Sequence, residues 1–143
     1  IRIEMNITKE DIAVRFDEYN GKYFGGVLAP CKYHIIREKW KVLGFYRPIN
    51  KNGKRINHIW INRFVDWTEE DLREVIVHEM IHHYVQTIEG HLGGFFGHNW
   101  RFRRQCRRLR REFGLNIPVH PFHIYFTWET PPKNLYQKIR RII

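Results

Sequence analysis

His78-Glu79-Met80-Ile81-His82 puts two imidazoles and a carboxylate within five residues, the donor set that metal-assisted hydrolysis needs. On an α-helix, at about 100° per residue, His78 and His82 fall one above the other, close enough for both to reach one Zn²⁺ at roughly 2.0–2.1 Å. Glu79 falls on the flank of that face. There it can take a proton from a water that the metal acidifies rather than ligate the metal itself. A chain with nine histidines meets this pattern by chance in roughly 4% of cases, so the flanking residues have to decide.

The flanks favour a helix over 69–89. Thr68-Glu69-Glu70-Asp71 is an N-cap followed by three acids in the positive first turn, and Gly90 is a stop signal. Leu72, Ile76, Val77, Met80, Ile81, Tyr84 and Ile88 cover most of the wheel, leaving Val75, His78, His82 and Val85 on the remaining sector. Polar groups in so apolar a helix are costly unless partnered, which favours a metal over a pair of hydrogen-bonded core histidines.

A third ligand is needed. Six residues beyond His82 stands Ile88, so the metzincin spacing is excluded. A carboxylate from a later helix would have to be Glu112, near that helix's far end. His98 is better placed. It follows the flexible stretch 90–97 and opens a new helical pattern, so the loop can fold it back onto the first two ligands. His91 and His83 are its rivals.

Three segments together resemble the SprT-like family of zinc metallopeptidases, which includes the Spartan proteases of DNA-protein crosslink repair. Asn20-Gly21-Lys22-Tyr23-Phe24-Gly25-Gly26-Val27-Leu28 is similar to an N-terminal N-x-x-Y-F-x-G-x-L signature, residues 78–83 to an HExxHH-type helix, and Gly97-His98-Asn99-Trp100-Arg101-Phe102 to an H-x-x-x-F third-ligand motif. The resemblance spans roughly residues 10 to 110 and implies one catalytic zinc on His78, His82 and His98, with Glu79 as acid/base. Many members carry a four-cysteine zinc ribbon as well. Cys31 and Cys106 are the only cysteines and cannot build one.

The elements expected to position these residues make an α+β, zincin-like domain over 1–143. Thr8-Lys9-Glu10-Asp11 caps a first helix whose Ile12, Phe16 and Tyr19 form one stripe, ending near Asn20-Gly21. Residues 32–37, 42–47 and 55–62 read as strands of a small antiparallel β-meander, with Asn52-Gly53 as the hairpin turn. The Ile59–Asn62 region is a candidate edge for binding an extended peptide. A fourth strand is expected over 119–128, where His120, His123 and Tyr125 are candidates to steady an oxyanion. A basic tail follows from Lys133 to Arg141.

Charge is the second signal. Lysine and arginine outnumber the acids to give a net +10, and Arg101, Arg103, Arg104, Arg107, Arg108, Arg110 and Arg111 all fall in a second long helix over about 99–113. Its expected buried stripe is Phe102, Cys106, Leu109 and Phe113. Crowded guanidiniums suit a phosphate polyanion, which points to DNA beside a protein or peptide substrate, with no base-reading side chains evident. Two well-separated cysteines favour a reducing compartment. With no signal peptide pattern and no membrane-length apolar run, the expectation is a cytoplasmic, or nucleoid-associated, metallopeptidase of unspecified oligomeric state. A non-proteolytic DNA-binding module with a structural zinc, and a zinc hydrolase of small amides that binds no DNA, are the alternatives.

Overall fold

Three helices and a three-stranded sheet make up the computed structural model, which describes residues 6–37, 42–91 and 98–119. The elements run α1 (Lys9–Phe24), β1 (Lys32–Ile36), β2 (Gly44–Lys51), β3 (Lys54–Asn62), α2 (Glu69–Thr87) and α3 (Trp100–Phe113). The strand expected beyond Val119, the tail, and His120, His123 and Tyr125 all lie outside the described residues.

Local chemistry sets the helix ends. Thr8 and Asp11 close a capping box on α1, satisfying two N–H groups that the first turn leaves unpaired. Helix α1 runs one turn past the expected stop at Asn20-Gly21. Asn20 is spent elsewhere, its amide donating to the Leu28 carbonyl at 3.0 Å and its oxygen accepting from the Leu28 N–H at 3.1 Å. Tyr23 and Phe24 are buried, which holds the final turn, and Gly25 ends it in the left-handed region at φ 61°. This clamp gives a physical reason for the spacing from Asn20 to Leu28.

The sheet departs from a meander. Its order is β1-β3-β2, with β3 parallel to β1 and antiparallel to β2. The Asn52-Gly53 turn joins β2 to β3 as expected, both residues at positive φ. However, β1 does not neighbour β2. The chain leaving β3 is bonded from both sides, Asn62 N–H to the Leu43 carbonyl at 2.8 Å and Arg63 N–H to the Ile36 carbonyl at 3.0 Å, so β3 is wedged between the other two. Ile59 and Ile61 on β3 are fully buried, and the most apolar strand takes the centre. Pro48 lacks an N–H and sits on β2, an edge of the described sheet, where that loss is tolerated. The candidate peptide edge at Ile59–Asn62 is therefore corrected: β3 has a strand on each side, and the edges of the described sheet are β1 and β2.

Helices α1 and α2 pack against this sheet and each other, and α3 packs on α2. Eleven residues of α2 are buried, His78, Glu79, His82 and His83 among them. Gly44 is where β2 passes closest to α2. A Cβ there would stand 2.9 Å from the Trp60 carbonyl oxygen and 3.0 Å from Val75 Cγ1, so only glycine lets β2 lie this near the helix. No helix among the described residues is long and apolar enough to cross a membrane.

Candidate metal centre

Two helices supply the candidate ligands. His78 and His82 project from the middle of α2, held by the buried core on either side. His98 stands just before α3, whose N-cap Asn99 accepts from the N–H groups of Arg101 and Phe102 at 3.0 and 3.4 Å. That cap fixes where α3 begins, and hence where His98 points.

The three imidazoles converge. Their nearest ring nitrogens lie within 4.8 Å of one another, and His78 Nε2 is 3.0 Å from His98 Nε2. The ring centroids form an almost equilateral triangle of 5.1, 4.9 and 5.0 Å. Phe102, fully buried, sits 4.7 to 4.9 Å from all three. Its position one turn after His98 explains the H-x-x-x-F spacing: the same helix start that presents the third imidazole lays an apolar floor beneath the triad.

Electrostatics suit a cation. Burial, with the His98 imidazole adding to it, lowers the His82 pKa to about 3, so its ring is neutral with a lone pair to donate. Buried His82 Nε2 and both Glu79 carboxylate oxygens have no hydrogen-bond partner. Glu79 is completely buried. Burial raises its pKa well above the ordinary carboxylate value, and the Tyr46 backbone on β2 only partly opposes the shift. Orphaned buried groups cost about 1–3 kcal/mol each, more when charged. Three converging imidazoles with a buried carboxylate alongside are a donor set that fits one divalent metal ion and leaves a coordination position open.

Of the alternative ligands, His83 turns away from the triad. It donates from Nε2 to the Ala29 carbonyl at 2.9 Å and stacks on Tyr46 at 5.0 Å. Glu112 pairs with Arg108 at 3.0 Å. His91 is no part of the cluster, and His78, His82 and His98 are the one group of three such ligands among the described residues.

The model of the SprT-like family matches residues 12–123. The chain belongs to that family. No match was found among curated proteins. The SprT-like match takes in the Asn20–Leu28 clamp, the α2 histidines, His98 and all of α3.

The arginines of α3 divide into two sets, which their sequence order does not reveal. Arg101 and Arg104 both reach Glu89, whose side chain is only 10% exposed, Arg101 at 3.8 Å. Arg108 bonds Glu112 at 3.0 Å, Gln105 at 2.8 Å and the Tyr23 carbonyl at 2.8 Å. The expected crowding of seven guanidiniums is therefore corrected: these three are answered within the fold. Arg103, Arg107, Arg110 and Arg111 are exposed and make no ion pair among the described residues. The buried stripe also shifts, to Phe102, Gln105 and Leu109. Phe113 is 44% exposed and meets Tyr23 edge-on at 5.2 Å, because α3 rolls to seat the Gln105 side on the core.

Proposed function

We propose that this SprT-like protein is a zinc-dependent metallopeptidase with a zincin-like fold that hydrolyses peptide bonds in DNA-associated proteins. The observation that carries the reading is the fully buried Glu79 carboxylate beside three converging imidazoles. A closed structural site would have no use for that carboxylate.

His78, His82 and His98 would hold the ion. Zinc bound there would polarise the scissile carbonyl and lower the pKa of water towards neutrality. Glu79 receives the proton of the attacking water and returns it to the departing amine. Its raised proton affinity makes it a stronger base than an exposed carboxylate. Phe102 closes the side of the triad facing α3 against solvent. The edge strand β2 passes Glu79 at Tyr46 and offers its outer backbone to an extended substrate chain. The partner proposed for the exposed arginines of α3 is DNA, which would bring protein substrates bound to the same polymer near the site.

Metal analysis with a casein or histone cleavage assay, run with and without DNA, tests the reading. One zinc per chain and chelator-sensitive cleavage are expected, with faster cleavage of histone when DNA is present. Zinc-loaded protein that cleaves neither substrate would overturn it.

A further inference from the structure

Arg103, Arg107 and Arg110 line a cleft of about 680 Å³ together with Cys106, Glu74 and residues 116–119. The geometry points to this cleft as the seat of a nucleic acid backbone, with these three arginines, and not the seven of α3 together, as the phosphate contacts. The inference rests on the proposed DNA partner and narrows it to one flank of one helix.

Charge and spacing carry the argument. The other arginines have been drawn off: Arg101 and Arg104 answer Glu89, and Arg108 answers Glu112 and the Tyr23 carbonyl. The three cleft arginines are exposed and, among the described residues, share the cleft lining with one carboxylate, Glu74, so positive charge is in excess there. Like charges held this close are relieved by an anion, and the planar guanidinium matches a phosphate through paired N–H groups. From position 103 to 110 the helix rises about 10 Å, so the three guanidiniums make an extended positive row along which a phosphate strand can lie. Half-buried Pro118 and Val119 add an apolar surface to the lining, suited to sugar and base edges rather than to a second row of charge. One link runs back to the metal centre, since Arg103 Nε donates to the His98 carbonyl at 3.3 Å. A strand in the cleft would therefore lie next to the turn that presents the third imidazole.

Cys106 makes the cleft measurable. Cys31 and Cys106 are both free and half-buried, so a Cys31→Ser protein carries one thiol, and it sits in this lining. The experiment uses a fluorescent single-stranded oligonucleotide of mixed sequence and the zinc-loaded protein. Anisotropy is read across a salt series for wild type, Arg103→Gln/Arg107→Gln/Arg110→Gln, and a control Lys9→Gln/Lys51→Gln/Lys54→Gln that removes the same charge elsewhere. In parallel, maleimide labelling of Cys106 is timed with and without oligonucleotide in the Cys31→Ser protein.

The cleft variant should bind on the order of 100-fold more weakly at 0.1 M salt, its log-log salt slope falling by about 2 for three lost contacts. The control should change little, zinc content should stay at one in both, and the oligonucleotide should slow Cys106 labelling several-fold. Oligonucleotide binding that the cleft variant retains, with Cys106 labelling unchanged, overturns the cleft and leaves the DNA reading standing. No binding by wild type even at low salt overturns both. Binding of poly-glutamate in preference to the oligonucleotide, still lost in the cleft variant, overturns the nucleic acid and makes the cleft a site for acidic protein. Labelling protection in the otherwise native cleft keeps the test decisive if the triple variant folds poorly.

Discussion

Two pairs of histidines in this molecule bring ring nitrogens equally close, and they differ in everything else. His78 and His98 meet at 3.0 Å, and His34 and His58 at 2.8 Å. The first pair has a third imidazole with its ring centroid 5.1 and 5.0 Å from theirs, an apolar floor in Phe102, and a buried carboxylate alongside. The second lies half-buried on β1 and β3, stacked with Trp60 at 4.8 and 5.4 Å, and Lys32 and Arg47 are the register partners of His58. An N–H···N hydrogen bond accounts for the second pair. The contrast teaches that the approach of two imidazoles does not define a metal centre. A third imidazole, burial that keeps His82 unprotonated, and a buried carboxylate close by do.

The largest effect should come from deleting one ligand of the triad. His98→Ala should reduce bound zinc from one per chain to almost none at micromolar free metal, because two imidazoles leave half of a tetrahedral site unfilled. His34→Ala/His58→Ala and His91→Ala should each keep one zinc, measured by elemental analysis after desalting. Zinc retained by His98→Ala, or lost from the outer-sheet variant, would reverse the comparison.

Next in size is the floor. Phe102→Ala removes a fully buried ring that touches all three imidazoles, and truncations of this kind cost about 3–5 kcal/mol. Trp60→Ala removes a larger ring, but from the half-buried outer sheet face where it stacks on Phe45 at 4.3 Å. It should cost less. Urea unfolding of the metal-free proteins measures both, and the contradicting result is a Trp60 variant less stable than the Phe102 variant.

Much of this was legible in the chain. Caps at Thr8 and Thr68 marked helix starts because a side-chain oxygen before an acidic turn has a local partner to satisfy, and Asn52-Gly53 marked its hairpin because both residues tolerate positive φ. The grouping of His78, His82 and His98 followed from helical spacing and one motif. Local signals could not give the order of the strands. The parallel pairing of β1 with β3 is decided by which strand buries Ile59 and Ile61, a property of the whole sheet. Nor could they show that Glu89 sits under Arg101 and Arg104, or that Gly44 must lack a side chain where Val75 crosses it. Both are contacts between elements far apart in the chain or turned by the roll of α3.

The smallest effect concerns pH. Burial first, then the His58, Lys9 and Lys32 charges, lowers the His34 pKa below its ordinary 6.5, and burial with Lys32 does the same to His58. The unfolded chain thus binds protons that the folded pair refuses. The stability the pair contributes is complete above about pH 6.5 and is lost as pH falls below it. His34→Gln/His58→Gln should therefore lose slightly less Tm than wild type between about pH 7.5 and about pH 5.5. An equal or larger loss would show that this pair is no source of acid sensitivity.

The central claim is that Glu79 works on the substrate while the imidazoles hold the metal, and one paired measurement tests it most directly. Wild type and Glu79→Gln are loaded with zinc, their metal content is determined, and casein cleavage is followed at equal zinc occupancy. The account predicts one zinc in each and a cleavage rate lower by at least roughly 100-fold in the variant, since glutamine keeps the shape and loses the base. A variant that cleaves as fast as wild type with its zinc in place would contradict the account.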